Sequence, residues 1–383
     1  MSSIFHDIST EDFLKNYWQK KPLLIRQGLP NFQSPITKEE LGGLSCEEDI
    51  ESRIIIEKGG ESPWQLLHGP FDEKVFSTLP SSHWTLLVQG VDHWSPEVNQ
   101  LLKPFDFIPN WRLDDIMMSY ATTGGNVGAH YDLYDVFLIQ AEGKRKWSIG
   151  QTCTEETKLT QHTSLKALET FNEEQSWILE PGDILYLPPQ VAHHGVACDD
   201  DCITISVGHR APSHKEVIHH YSDFISENLS DFKRYQDPEL LQQKHSGEIT
   251  FESLSKVKEI IDSAIKDKDS INHWFGCYVT EPKYTIETPD QEIDSSELLP
   301  SINSGDRVFK NEGSRFCYIA ANDTIELYVD GVRHVLDRIN LDVAETLCSR
   351  DTLEPDDIKA WLEKPAITRV LTSLINQGSL YLE

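Results

Sequence analysis

Between residues 84 and 208 the chain alternates short apolar runs with polar positions, among them WTLLVQG, DIMMSYAT, DVFLIQ, RKWSIG, QSWILE, DILYLPP and ITISVG. Runs of this length predict β-strands, because successive side chains of an extended segment point to opposite faces. Turn-forming pieces, TTGGNVG, AEGK and EPGD, punctuate them. Many short strands joined by such turns predict a jelly roll or barrel. Ahead of them, STEDFLKNYW predicts a helix from Ser9 to about Trp18, capped by the Ser9 hydroxyl, and PLLIR predicts a short strand.

After RAPSHKE the periodicity changes. EVIHHYSDFISENL and FESLSKVKEIIDSAIKD space their apolar residues near the helical period. Past VTEPKYTIETPDQEID come two strand-like runs, RFCYIAA and IELYVDG, then helical segments and a final GSLYLE, an order that predicts a winged helix. The pattern divides the chain into a β-rich part, 1–211, with its core at about 84–208, a helical region, 212–280, and a small α+β module, 281–383. No internal repeat or low-complexity tract interrupts it.

Composition narrows the partners. The 383 residues carry 34 basic and 63 acidic side chains, a formal net charge of −29. Sequence-independent nucleic-acid binding needs Lys and Arg to neutralise phosphates, so this balance argues against it and suits a basic partner. The module 281–383 holds 10 basic against 20 acidic residues, a net of −10. A DNA-reading winged helix is basic, so this one is expected to serve protein interaction or structure, without direct DNA binding. The seven cysteines are odd in number and lack a CxxC pair, the usage of reduced thiols in a cytoplasmic protein. No apolar run is long enough to cross a membrane, and the start MSSIFHDIST has no signal-peptide character.

The chemistry concentrates in two stretches. NVGAHYDLYDVFLIQ places His130 and Asp132 two apart, on one face of an extended segment. LEPGDILYLPPQVAHHGVAC, beginning 47 residues later, offers His193 or His194 as a third ligand. Two histidines and one carboxylate occupy one face of Fe(II) and leave the other positions open. Strand parity alone does not choose between His193 and His194. A rival grouping of either histidine with Cys198 and Cys202 would make a structural zinc site, with a fourth ligand from elsewhere. In EGKRKWSIG, Arg145, Trp147 and Ile149 share one strand face, while Lys144, Lys146 and Ser148 make a solvent face. Arg145 is then sent inward, where a guanidinium needs a carboxylate, either an internal acid or a bound dicarboxylic cosubstrate.

Taken together, the segments WRLDDIMMSYATTGGNVGAHYDLYDVFLIQAEGKRKWSIG, LEPGDILYLPPQVAHHGVA and ISVGHRAP resemble the Jumonji-C oxygenases. More narrowly, they resemble the bacterial ribosomal oxygenases that hydroxylate an arginine of large-subunit ribosomal protein sixteen. The resemblance is dense over about 104–212 and extends weakly to the N-terminal segment and the C-terminal half. It implies a double-stranded β-helix (cupin) domain, a helical dimerisation region and a winged-helix-like domain. It further implies Fe(II) held by His130, Asp132 and His193, with 2-oxoglutarate and O2 as cosubstrates. Arg145 would grip the distal carboxylate of 2-oxoglutarate and Ser119 would touch the same molecule. The implied substrate is a basic ribosomal protein and the implied assembly a homodimer, with EVIHHYSDFISENL at the interface; His219 and His220 within it are expected to be ordinary helix residues. Tyr131, Tyr134 and Asp135 are candidates for the mouth of the site, and GGNVG reads as a hairpin loop because it lacks the strand-to-helix context of a nucleotide-binding turn. Two alternatives remain open: a Jumonji-C demethylase of a methylated basic residue, and a non-catalytic metal-binding jelly-roll module.

Overall fold

The computed structural model describes residues 4–59, 64–160, 165–265 and 268–383. It divides into two compact units, Met1–Ala211 and Pro212–Glu383.

The first unit begins with helix α1 (Thr10–Asn16), whose N-cap Ser9 accepts from the Asp12 N–H, and strand β1 (Leu23–Ile25). Helix α2 (Lys38–Leu44) follows, opened by a capping box between Thr37 and Glu40. Then come β2 (Ser52–Glu57), β3 (Trp64–His68), β4 (Trp84–Val88), α3 (Pro96–Asn99), β5 (Leu113–Ala121), β6 (Asp135–Glu142), β7 (Arg145–Thr152), β8 (Gln175–Leu179), β9 (Ile184–Leu187), β10 (Val191–Ala197) and β11 (Cys202–His209). Among the described residues the larger sheet has the order β1-β9-β6-β11-β5-β4-β2-β3 and the smaller β10-β7-β8, with antiparallel pairing throughout.

The two sheets pack face to face. Val136, Leu138, Leu185 and Leu187 of the larger sheet meet Trp147, Ile149, Leu179 and Val191 of the smaller in one apolar cluster. On the outer face of the larger sheet, Phe137, Ile139, Tyr186, Ile205, Val207, Ile116 and Met118 pack with Phe13 and other N-terminal residues. The central strands β6 and β11 are therefore covered on both sides, and nearly every residue in them is buried. That is why DVFLIQ and ITISVG read as continuous apolar runs rather than clean alternations. The expected jelly roll is the architecture of this unit.

Asp135 belongs to the outer face, not to the mouth of the site. It is fully buried and accepts from Tyr186 Oη at 2.6 Å, Gln19 Nε2 at 2.9 Å and Arg112 Nη2 at 3.2 Å. Parity decides this: Asp135 shares its face with Phe137 and Ile139, whose side chains meet Phe13, Trp18 and their neighbours.

The second unit starts with α4 (His214–Glu227), α5 (Phe251–Ile265) and α6 (Lys268–Thr280). It continues with α7 (Ser295–Ser304), β12 (Val308–Lys310), β13 (Phe316–Ala320), β14 (Thr324–Val329), β15 (Val332–Asp337), α8 (Leu341–Ser349), β16 (Thr352–Leu353), α9 (Pro355–Leu362), α10 (Pro365–Asn376) and β17 (Leu380–Leu382). Two three-stranded sheets, β16-β12-β17 and β13-β14-β15, surround a core in which Leu327, Leu347, Ile358, Ile367, Leu371 and Leu374 are buried. His219 and His220 lie on α4, the first 3.6 Å from Asp223 one turn on, the second against the Tyr278 ring.

Candidate functional site

The connection from β5 to β6 and the strand β10 meet at one point. His130 and His193 form an isolated antiparallel bridge, His130 N–H to His193 O at 3.0 Å and His193 N–H to His130 O at 2.8 Å. Two more backbone bonds hold the connection, Gln190 N–H to Asp132 O at 2.7 Å and Leu168 N–H to Ala129 O at 2.7 Å. The sequence predicts His130 and Asp132 on a strand; in the structure they precede it, and β6 starts at Asp135. A left-handed Gly128 (φ 80°) and a bend at Leu133 and Tyr134 interrupt the ladder on either side of the motif.

The three side chains converge all the same. One ligand atom from each of His130, Asp132 and His193 lies within 4.8 Å of the others. His193 Nε2 is 3.5 Å from Asp132 Oδ2, and the two imidazole centroids are 4.3 Å apart. Each ring is oriented by the carbonyl two residues before it: His130 Nδ1 donates to Gly128 O at 3.0 Å and His193 Nδ1 to Val191 O at 3.0 Å. A carbonyl can only accept, so Nδ1 is the donor in each ring, and the tautomer that this bond selects is the one whose Nε2 lone pair faces the site. This is the outer-shell arrangement that prepares histidine to ligate a metal. His193 is buried, and burial, reinforced by the His130 imidazole, pushes its pKa down to about 4 against the pull of Asp132. Burial thus favours the neutral ring, whose lone pair can ligate a metal.

Strand register separates the adjacent histidines. On β10, His193 pairs with Ile149, Gly195 with Trp147 and Ala197 with Arg145, while His194 pairs with Ser148. His193 thus shares the inward face with Arg145 and Trp147, and His194 points the other way. His194 Nε2 lies 3.3 Å from Asn126 Oδ1 and its ring stands edge-on to Phe171. Gly195 makes room for the Trp147 indole; a Cβ there would sit 2.7 Å from the ring.

Arg145 is 3% exposed, as its inward placement requires. Gly143, with φ 59° in the turn before it, sets the start of β7. The guanidinium packs on Trp147, and its Nε and Nη2, together with the indole Nε1 of Trp147, have no hydrogen-bond partner among the described residues. Buried donors of a charged group left without an acceptor are costly, so this corner fits a carboxylate from a bound molecule. Arg145 is four residues along β7 from the partner of His193, about 13 Å at strand rise. Ser119, 3% exposed, lies on β5 with its hydroxyl donating to Thr204 O at 3.4 Å. Two residues on, Ala121 contacts Ala197, the register partner of Arg145, so Ser119 and Arg145 belong to the same end of the interior.

The other face of β7 differs from expectation. Lys146 is exposed, but Ser148 is buried because its hydroxyl donates to Glu173 at 2.7 Å, and that carboxylate covers it. At the mouth, Tyr134 leaves its ring 43% exposed while its hydroxyl is turned in to Asp132. Burial first, then the charges of Asp132, Asp115 and Asp114, hold its pKa well above the usual phenol range. Tyr131 packs instead with Ala129, Leu159, Leu168, Phe171 and Ala192. The rival zinc grouping does not assemble among the described residues: Cys202 is buried against Ala121 and Ala197, and Cys198 is exposed.

The chemistry of the donor set fits a divalent iron-type ion, two imidazole nitrogens and one carboxylate with room for exchangeable ligands. Asn126 is the residue that sequence reasoning passes over. It reads as ordinary turn chemistry in GGNVG, yet it is 5% exposed and bonded to Glu57, Gly124, Gly128 and His194.

Known proteins resemble this chain in both sequence and fold. Residues 100–217 match the JmjC domain family and residues 263–381 the ROXA-like winged helix. The chain is 31% identical over 377 residues to the ribosomal protein uL16 3-hydroxylase of Escherichia coli, covering 97% of each. It is 33% identical over 357 residues to a probable ribosomal oxygenase of Haemophilus influenzae, covering 89% of this chain and 85% of that one. Among solved structures, YcfD, a ribosomal oxygenase from Escherichia coli in complex with cobalt and 2-oxoglutarate, aligns with a TM-score of 0.86 at 30% identity over 99% of both chains.

Proposed function

The chain belongs to the JmjC-domain ribosomal oxygenases, and from that premise we propose that it hydroxylates an arginine side chain of a basic large-subunit ribosomal protein. It is a metal- and 2-oxoglutarate-dependent oxygenase; the metal we assign as Fe(II) and the oxidant as O2. The observation that carries the reading is the convergence of His130, Asp132 and His193 in an interior that also holds the buried Arg145, whose Nε and Nη2 find no partner among the described residues.

Each residue then has a task. His130 and His193 would bind the ion through Nε2 and Asp132 through a carboxylate oxygen, on one side, leaving the opposite positions for exchangeable ligands. Fe(II) with 2-oxoglutarate supplies the oxidising power, coupling decarboxylation of the cosubstrate to succinate with transfer of one oxygen atom to a C–H bond. Arg145 would hold the distal carboxylate with its planar fork, and Ser119 would add a hydroxyl contact. The apolar walls of Val136, Leu138, Leu185 and Leu187 exclude water from that end. At the mouth, the half-exposed Tyr134 ring offers a face suited to a guanidinium. The net charge of −29 favours encounter with a basic protein. Hydroxylation is preferred to demethylation because the bacterial relatives are named hydroxylase and oxygenase. An intact triad with Arg145 speaks against a non-catalytic module.

We also assign a homodimer formed through the helical region 212–280. On α5, Leu254, Val257, Ile261 and Ile265 form a stripe at helical spacing that is about half exposed, and Ile218 of α4 is 65% exposed. Such a stripe needs a cover. We assign the protein to the cytoplasm on the strength of the proposed ribosomal substrate. No described helix is long and apolar enough to cross a membrane.

The test is incubation of the purified protein with Fe(II), 2-oxoglutarate and candidate basic ribosomal proteins, followed by mass spectrometry. One added oxygen on an arginine, with matching succinate, supports the reading. Succinate release coupled to loss of a methyl group would replace it with demethylation.

A further inference from the structure

We propose that Asn126 and His194 are positioning residues that fix the loop carrying His130, so that β10 grips this loop by a side chain as well as by its backbone. The proposal rests on the reading of His130 as a metal ligand. The Asn126 amide is saturated: Nδ2 donates to Glu57 Oε2 at 2.7 Å and Gly124 O at 3.0 Å, and Oδ1 accepts from Gly128 N at 3.0 Å. An N–H and a carbonyl on opposite sides leave one orientation of the amide, so the His194 Nε2 at 3.3 Å must be the donor.

The consecutive histidines of β10 therefore carry their protons on different atoms. His193 is protonated on Nδ1 and turns a free Nε2 inward; His194 is protonated on Nε2 and spends it on Asn126. The tie continues through Gly128. Its N–H is held by Asn126 and its carbonyl accepts from His130 Nδ1, so the residue that orients His130 is itself held by Asn126. Glu57, at the end of β2, anchors the far side of the amide. His194 thus contributes to the site without touching the ion, and it carries out a task that its inward neighbour cannot.

Outer-shell partners of metal ligands typically change metal affinity by about ten- to a hundredfold. The test is titration of the full chain with Co(II) alone, read by the visible absorption of the bound ion, beside melting curves of the metal-free protein. Asn126→Ala is expected to lose affinity in that range and to change the Co(II) spectrum, while its metal-free melting temperature stays near that of the parent. His194→Gln retains a side-chain N–H donor and is expected to bind like the parent, whereas His194→Ala weakens binding. Parental affinity and spectrum in Asn126→Ala overturn the proposal, and so does a His194→Gln as impaired as His194→Ala. If Asn126→Ala does not fold, the two His194 variants decide alone. His130→Ala is the control: undiminished Co(II) binding there removes the ligand reading itself, whereas lost binding there with a parental Asn126→Ala removes only the positioning role.

Discussion

His130 and His193, 63 positions apart in the chain, donate their backbone N–H groups to each other's carbonyls across a single bridge, at 3.0 and 2.8 Å. The side chains of the site are thus brought together by main-chain bonds as well as by any shared ligand. Asp132 is held in the same way, its carbonyl accepting from Gln190 N–H.

Asp132→Ala follows directly. It leaves those backbone bonds in place and removes one ligand and the Tyr134 hydroxyl contact. Turnover should be abolished, while the melting temperature of the metal-free protein moves by no more than a few degrees. In the parent, Co(II) at about 100 times its Kd should add about 2.7 kcal/mol of stability; this gain should vanish in the variant. Full turnover in the variant would sink the triad assignment.

The two adjacent histidines should separate in severity. His193 faces inward with Nε2 free and is 3% exposed, while His194 is turned away and bonded to Asn126. His193→Ala should eliminate measurable Co(II) binding in calorimetry, and His194→Ala only weaken it. The reverse order would move the third ligand to His194.

Local signals made much of this legible in the sequence. The spacing of His130 and Asp132, the lone basic residue on the Arg145 face of RKWSIG and the strand-turn texture all lie within short windows, and the jelly roll follows from them. What was hidden depends on distant partners. Ser148 reads as solvent-facing until Glu173, 25 residues on, covers it. Asp135 reads as part of the mouth until Gln19 and Tyr186, 116 and 51 residues away, claim its carboxylate. Asn126 reads as a turn residue because its meaning lies in Glu57 and His194, 69 and 68 positions away.

Acid should destabilise the metal-free protein through its buried histidines. Burial pushes His193 down to about 4 and His209 down to about 3, the latter helped by the Arg112 charge. Both folded-state values lie below the usual histidine value, so the unfolded chain binds more protons below about pH 6.5. Stability is then fully present above pH 6.5 and falls as the pH drops toward 4 and 3, by about 1.4 kcal/mol per pH unit for each group. His209→Phe keeps a ring among Trp18, Phe105 and Phe137 and removes one of these titrations. Chemical denaturation between pH 6.5 and 4.5 should show a shallower slope for this variant; an unchanged slope would contradict the assignment.

Arg145 decides between a cosubstrate partner and a structural role. Its Nε and Nη2 are buried without an acceptor, and no carboxylate of the chain within the described residues forms an ion pair with it. Arg145→Lys keeps the positive charge and loses the planar fork that holds a carboxylate by two parallel bonds. A hydrogen bond to a charged group contributes about 1.5–3 kcal/mol. Losing one should raise the 2-oxoglutarate requirement by about ten- to a hundredfold, since 1.4 kcal/mol is a factor of ten. Co(II) affinity without cosubstrate should barely move, because the guanidinium lies about 13 Å along the strand from the level of His193. Thermal stability should hold or rise slightly, because in the free protein the arginine leaves buried donors unsatisfied. A structural arginine gives the opposite pattern, a lower melting temperature with an unchanged 2-oxoglutarate requirement. Titrating 2-oxoglutarate against succinate release, with a melting curve for each protein, separates the two, and an unchanged requirement would remove Arg145 from the cosubstrate site.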